Sequence, residues 1–175
     1  LYTTIGVLLA LIEREKSGIG QYLDMTLFDC AIALMHPHIP NFMYSNEVPV
    51  PTGNAHPNIS PYDTFRTKTV DVFIGAGNNG AFFKLCDAVE RPELVEDPRF
   101  KDNINRVENR DELKVELETS LIRIDGATLY ETLANAGLAA GPIYDTNQIV
   151  AHPHTEHRKM ILKAGDYKGV ASPIK

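Results

Sequence analysis

Tyr62-Asp63-Thr64-Phe65-Arg66-Thr67-Lys68-Thr69-Val70-Asp71-Val72-Phe73-Ile74-Gly75-Ala76-Gly77-Asn78-Asn79-Gly80 is the stretch on which the fold turns. Two β-rich runs, 62–67 and 70–74, flank Lys68-Thr69, which reads as two strands joined by a tight turn. The glycines at 75, 77 and 80 also match G-x-G-x-x-G, a dinucleotide fingerprint when a parallel strand precedes it and a helix follows. The two readings conflict, because a tight hairpin makes an antiparallel pair. A dinucleotide unit needs a second apolar strand, ending in an acid, about 20 residues on. That place holds Glu90-Arg91-Pro92-Glu93-Leu94-Val95-Glu96-Asp97-Pro98, whose prolines are incompatible with a central strand. The antiparallel reading is the stronger, and a dinucleotide-binding module stays as the lesser alternative. Asn78 or Asn79 then caps a helix over about 81–90, with Phe82, Leu85, Cys86 and Val89 inward.

Downstream, 91–109 is polar, holds Pro92 and Pro98, and reads as short turns. Leu113, Leu117 and Leu121 mark a helix over 110–121. Asp125 caps another, with Leu129 and Leu133 inward and Gly137 closing it. Leu138 to Tyr144 is a short extended run broken by Gly141-Pro142, and 149–161 is at best weakly helical. Upstream, Leu1, Ile5, Leu8, Leu9 and Ile12 share a helix face, and the helix stops at Ser17-Gly18. Residues 21–26 alternate like a strand. Thr26 with Asp29 resembles a capping box opening a helix with Phe28, Ile32 and Met35 on one side. Residues 36–61 hold six prolines (37, 40, 49, 51, 57 and 61), which excludes helix there and marks a domain boundary.

The chain has 175 residues, 43% hydrophobic and 23% charged, ordinary values for a globular protein. A net charge of −6, with 17 Lys+Arg spread thinly, argues against nucleic-acid binding. No apolar run approaches the ~18 residues that span a bilayer. The two cysteines, Cys30 and Cys86, stand apart in apolar helical contexts and read as buried thiols of a reducing compartment, the cytoplasm. The chain starts on Leu, already within a helix pattern, and reads as a piece of a longer protein.

Three constellations are candidates for chemistry. The first is the glycine loop 75–80. The second is the histidines: His152, His154 and His157, with His36 and His38. Neighbouring imidazoles can bind a transition metal, but Pro153 interrupts the run and no HExxH-type partner is present, so no metal site is expected. The third is the loop Thr52-Gly53-Asn54-Ala55-His56-Pro57-Asn58-Ile59-Ser60-Pro61-Tyr62. Its small, amide and imidazole groups can approach a ligand carboxylate or thioester closely. It reads equally well as a rigid interdomain linker.

Several segments together resemble the class III coenzyme A transferases, the family of formyl-CoA and carnitine-CoA transferases. They are Arg14-Glu15-Lys16-Ser17-Gly18-Ile19-Gly20-Gln21, Leu23-Asp24-Met25-Thr26-Leu27-Phe28-Asp29, Gly53-Asn54-Ala55-His56-Pro57 and Pro61-Tyr62-Asp63-Thr64-Phe65. Asp97-Pro98-Arg99-Phe100, Asn105-Arg106-Val107, Asn109-Arg110, Ala136-Gly137-Leu138-Ala139-Ala140-Gly141-Pro142-Ile143 and Gly169 with Pro173-Ile174-Lys175 continue the series in family order.

The resemblance implies an α/β protein with an α+β small domain, as one part of a two-domain subunit whose full-length form is an interlocked homodimer. Residues 1–50 would end the N-terminal part of a large Rossmann-like domain, 51–150 would form the small domain, and 151–175 would start the return to the large domain. It implies transfer of CoA from an acyl-CoA to a small carboxylic acid through an aspartyl-CoA thioester. The CoA thioester is then a substrate, and no permanently bound cofactor is implied. The family's nucleophilic aspartate would lie upstream of Leu1, so no catalytic residue is expected here and this piece alone would be inactive. The substrate-site candidates are Gly53, Asn54, Ala55 and His56, where formyl-CoA transferases carry a glycine-rich mobile loop. This chain keeps one glycine there, which suggests a stiffer loop. The rival within the superfamily is an α-methylacyl-CoA racemase, whose supporting Glu would fall near Asn78. An amide cannot share a proton in that role, which favours the transferase.

Overall fold

A computed structural model describes residues 1–174 and divides into two compact units, Leu1–Pro51 and Thr52 onward. The first unit is three helices. Helix α1 (Tyr2–Ser17) ends on Gly18, whose φ of 72° gives the left-handed turn an L side chain resists. Helix α2 (Leu27–Leu34) opens on Thr26, whose hydroxyl accepts the Asp29 amide at 3.0 Å. Helix α3 (His38–Ser45) contradicts the expectation that 36–61 holds no helix. Its Pro40 sits in the first turn, where the missing amide has no intrahelical acceptor to serve. The strand expected over 21–26 is absent as well: among residues 1–51 no strand exists for it to pair with, and a lone strand leaves its ladder groups unmade. None of these three helices buries a residue. Leu8, Leu9, Ile12, Phe28, Met43 and Tyr44 are all exposed. Cys30 is half-buried rather than buried.

The second unit is built on an antiparallel three-stranded sheet in the order β1-β2-β3. Strand β1 is Tyr62–Phe65, β2 is Val72–Gly75 and β3 is Ala139–Pro142. The register pairs Phe65 with Val72, and Val72 in turn with Pro142. The connection between β1 and β2 is longer than the two residues expected. Residues 66–71 are held away from the ladder: the Lys68 amide donates to Ile124 O at 2.9 Å, and Thr69 Oγ1 donates to Asp125 at 2.9 Å. Pro142 closes β3 at the sheet's edge, where its missing donor costs least.

Between β2 and β3 the chain runs through four helices, α4 (Asn79–Ala88), α5 (Asn103–Glu108), α6 (Arg110–Leu121) and α7 (Gly126–Asn135), of which α4, α6 and α7 share a buried core with the sheet. Asn78 caps α4 through Ala81 N at 2.9 Å, and Asp125 caps α7 through Ala127 and Thr128. Phe65, Val72, Ile74, Phe82, Leu85, Cys86, Leu113, Leu117, Leu121, Leu129 and Leu133 form one buried cluster. The strand alternation and the helix spacings read from sequence thus converge on a single core. Helices α5, α8 (Thr146–Ala151) and α9 (Pro153–His157), and the hairpin β4 (Ile161–Ala164) with β5 (Tyr167–Val170), were not legible in it.

Candidate functional site

The loop 52–58 lies along the free edge of β1. Gly53, at a φ of 64°, turns the chain, and Thr52 Oγ1 donates to Ala55 O at 2.8 Å. Asn54 Nδ2 reaches Thr64 Oγ1 at 3.3 Å, and the His56 amide donates to Tyr62 O at 2.9 Å. The His56 ring stands edge-on to Tyr62, with centroids 5.2 Å apart, and Tyr62 meets Phe73 in the same way. His56 Nδ1 accepts the Asn58 amide at 3.1 Å. That bond fixes the Nδ1 lone pair as an acceptor and assigns the ring's remaining donor to Nε2.

Gly53 and Asn54 open onto a cleft of about 480 Å³ with Asp63, Arg66, Lys114 and Glu118. Asp63 shares the inner face of the sheet with Phe65, and Lys114 of α6 meets it at 2.5 Å. Arg66 grips Glu118 through Nε at 3.0 Å and Nη2 at 2.7 Å, while its backbone amide donates to the other carboxylate oxygen. Burial alone would raise the Glu118 pKa; the Arg66 hydrogen bonds and charge, helped by Lys114, outweigh it and hold the carboxyl below its usual range. Both cations therefore face carboxylates of their own. Ala55 and His56 do not line this cleft; they tie the loop to β1 instead.

The backbone of residues 56–60 is held from the other side by three side chains of α5 and α6. Asn103 donates to Asn58 O at 2.9 Å and accepts the Ser60 amide at 3.2 Å. Arg106 Nε donates to Ser60 O at 2.8 Å, and Arg110 donates to His56 O at 3.1 Å and Pro57 O at 2.9 Å. Arg106 is fully buried and also bonds Phe100 O and Asn79 Oδ1, with its guanidinium 4.6 Å from the Phe82 ring centroid. Burial lowers its pKa from the ordinary value, and no carboxylate bonds it among the described residues. Sequence reasoning quoted these arginines but gave them no role. Asn103 and Arg106 share a face of α5, and Arg110 opens α6 after the break at Asn109, so no single helical period marks the three together.

The other constellations resolve structurally. The glycine loop 75–80 follows a strand antiparallel to both neighbours, which overturns the dinucleotide reading. At Gly75 a Cβ would stand 2.9 Å from the Tyr62 ring, so this glycine serves sheet packing. Asn78 is occupied with its cap, and Asn79 accepts from Arg106; both neutral amides are committed to structure. His152 caps α9 through the His154 amide at 3.1 Å. No group of three or more His, Cys, Asp or Glu is placed to hold a metal ion among the described residues. Desolvation pushes the Cys86 thiol up to about 12, so it is not a thiolate nucleophile at neutral pH. No helix is long and apolar enough to cross a membrane among the described residues.

The model of CoA-transferase family III matches residues 1–175, and the chain belongs to that family. It is 33% identical over 170 residues to the acetyl-CoA:oxalate CoA-transferase of Acetobacter aceti, covering 97% of this chain and 44% of that protein. It is 33% identical over 177 residues to the succinyl-CoA:mesaconate CoA-transferase of Haloarcula marismortui, covering 98% and 44%. Among solved structures, a CAIB/BAIF family protein from Brucella suis matches with a TM-score of 0.75 at 36% identity, over 99% of this chain and 46% of that one. A Mycobacterium tuberculosis protein matches with a TM-score of 0.77 at 28% identity, over 97% and 44%. The chain thus spans less than half the length of the relatives it matches.

Proposed function

We propose that the protein containing this chain moves CoA from an acyl-CoA to a free carboxylic acid through an aspartyl-CoA thioester. A carboxylate attacks the thioester carbonyl, expelling CoA thiolate and leaving a mixed anhydride. The thiolate then attacks the aspartyl carbonyl, releasing the donor acid and leaving aspartyl-CoA. The acceptor carboxylate repeats these steps in reverse and departs as the new acyl-CoA. The observation that carries the reading is family membership across the whole chain, with relatives named for CoA transfer between acids.

On this reading the nucleophile belongs to chain preceding Leu1. The aspartates nearest the start, Asp24 and Asp29, lie in an irregular segment and in the first turn of α2, past the helix that would follow the nucleophile. Residues 1–50 would complete a large Rossmann-like domain that covers the bare faces of α1 and α2, 51–150 would be the small domain, and 151–175 would lead back. Two such subunits would interlock as a homodimer in the cytoplasm. Gly53, Asn54, Ala55 and His56 would wall the acyl end of the CoA site, and residues 1–175 alone would be inactive.

The test is an exchange assay on the full-length protein. Acetyl-CoA or succinyl-CoA is mixed with a panel of acids (oxalate, mesaconate, glutarate, formate), and products are read by mass spectrometry. A new acyl-CoA with total CoA conserved is the expected result. No transfer with any pair, alongside solvent-deuterium exchange at the α-carbon of a 2-methylacyl-CoA, would replace the transferase by the racemase.

A further inference from the structure

We infer that Asn103, Arg106 and Arg110 are positioning residues that hold the loop Gly53–Ser60 as a standing wall of the acyl site, so that the loop does not open and close during turnover. The inference rests on the proposed CoA transfer. Five hydrogen bonds from three side chains of α5 and α6 fasten residues 56–60: two through Asn103, one through Arg106 and two through Arg110. Three of them come from guanidinium groups, which makes them the stronger, charge-assisted kind. They engage the backbone, so they fix where the chain runs whatever side chains it carries.

The clamp is itself anchored. Arg106 has no exposed surface, and its other two nitrogens donate to Phe100 O at 3.0 Å and Asn79 Oδ1 at 2.9 Å. On its other side the loop is bonded to β1 through the His56 amide and Tyr62 O, and its start is closed by Thr52 on Ala55. Hinge freedom is also scarce: Gly53 is the only glycine from 52 to 61, while Pro57 and Pro61 have fixed φ. A lid must break few bonds to move on the timescale of turnover; this segment would have to break at least six.

A fixed wall excludes water from a thioester intermediate without a closing step. If it loosens, water can attack the thioester carbonyl, releasing the free acid and CoA thiol in place of transfer to the acceptor acid. The clamp therefore governs partition as well as loop stability.

The test uses the full-length protein with Arg110→Met, Arg110→Lys and Asn103→Ala, and with Leu129→Val as a stability control distant from the loop. Two quantities are read: amide hydrogen exchange of peptides spanning 52–61, and the ratio of CoA transferred to acyl-CoA hydrolysed. Losing two charge-assisted bonds in Arg110→Met should speed exchange about tenfold and lower the ratio about tenfold. Arg110→Lys, which keeps the charge but on a single nitrogen in place of the two that reach His56 O and Pro57 O, should fall between it and the wild type. Leu129→Val should lower the melting temperature and move neither quantity. Unchanged exchange in both Arg110→Met and Asn103→Ala overturns the clamp. Faster exchange with an unchanged ratio overturns the positioning role. A wild-type protein that transfers CoA to no acid fails the proposed function, and the exchange arm still decides the clamp.

Discussion

Arg106→Met removes the guanidinium and keeps most of the stem, so the loss it causes measures what a buried arginine without a carboxylate contributes. Three acceptors lose their donor: Ser60 O at 2.8 Å, Phe100 O at 3.0 Å and Asn79 Oδ1 at 2.9 Å. At the low end of about 1.5 kcal/mol for each bond from a charged group, the loss is about 4–5 kcal/mol. Relief of the guanidinium's desolvation offsets about 1–2 kcal/mol of that; the lowered Arg106 pKa is the signature of this cost. The methionine fills the aliphatic space, so the cavity contribution is small. The expected net loss is about 3 kcal/mol, a large share of the stability of a domain this size. Because a protein of more than one domain need not unfold in one step, the assay is native-state amide exchange of α6 peptides containing Leu113 and Leu117. Both leucines are fully buried, so their amides report the opening of this unit's core. Arg106→Lys should fall between wild type and Arg106→Met. A loss below about 1 kcal/mol would refute the reasoning, by showing that water or a backbone shift satisfies the three acceptors without the arginine.

Three further outcomes follow from the same contacts. Glu118 has its folded-state pKa held below its unfolded value, so its pairing with Arg66 stabilises above the unfolded pKa and is lost as pH falls through the folded one. Stability should decline as the pH drops below about 4.3, and Glu118→Gln should flatten that decline by up to about 1 kcal/mol in acid urea titrations. Gly126→Ala should destabilise by about 1–3 kcal/mol despite alanine's better helix propensity. Its new Cβ would stand 2.4 Å from Val70 O and 2.8 Å from Thr67 Oγ1, and a drop in melting temperature checks it. Cys86, buried and raised to about 12, should resist iodoacetamide at pH 8 in the folded protein and react once urea opens the core.

The core of the second unit was legible because it is written in local period. Phe65, Val72 and Ile74 alternate, and Phe82, Leu85 and Cys86, then Leu113, Leu117 and Leu121, recur at helical spacing; all are buried. The caps at Thr26, Asn78 and Asp125 were legible for the same local reason. Arg106 was not, because a charged residue on a polar stretch reads as surface. Its burial is set in part by Ser60 O, 46 residues away, and Asn79 Oδ1, 27 residues away, which no local window contains. The turn between β1 and β2 was misread because Lys68 and Thr69 bond to the α6–α7 connection rather than to each other's strands. Helix α3 was missed because proline was weighed by its number and not by its place in the first turn. At the candidate site, the sequence pointed to residues 53–56, and the structure divides them: Gly53 and Asn54 face the cleft, while His56 anchors the loop to Tyr62.

The measurement that tests the proposed chemistry most directly is capture of the covalent intermediate. The full-length protein is loaded with acyl-CoA in the absence of acceptor acid, treated with hydroxylamine, digested and mapped by mass spectrometry. An aspartyl-CoA thioester should be converted to a hydroxamate on one aspartate in the segment preceding Leu1, with no modification of Asp24, Asp29 or Cys86. An unmodified aspartate there, or acyl transfer proceeding with the label on another residue, would contradict it.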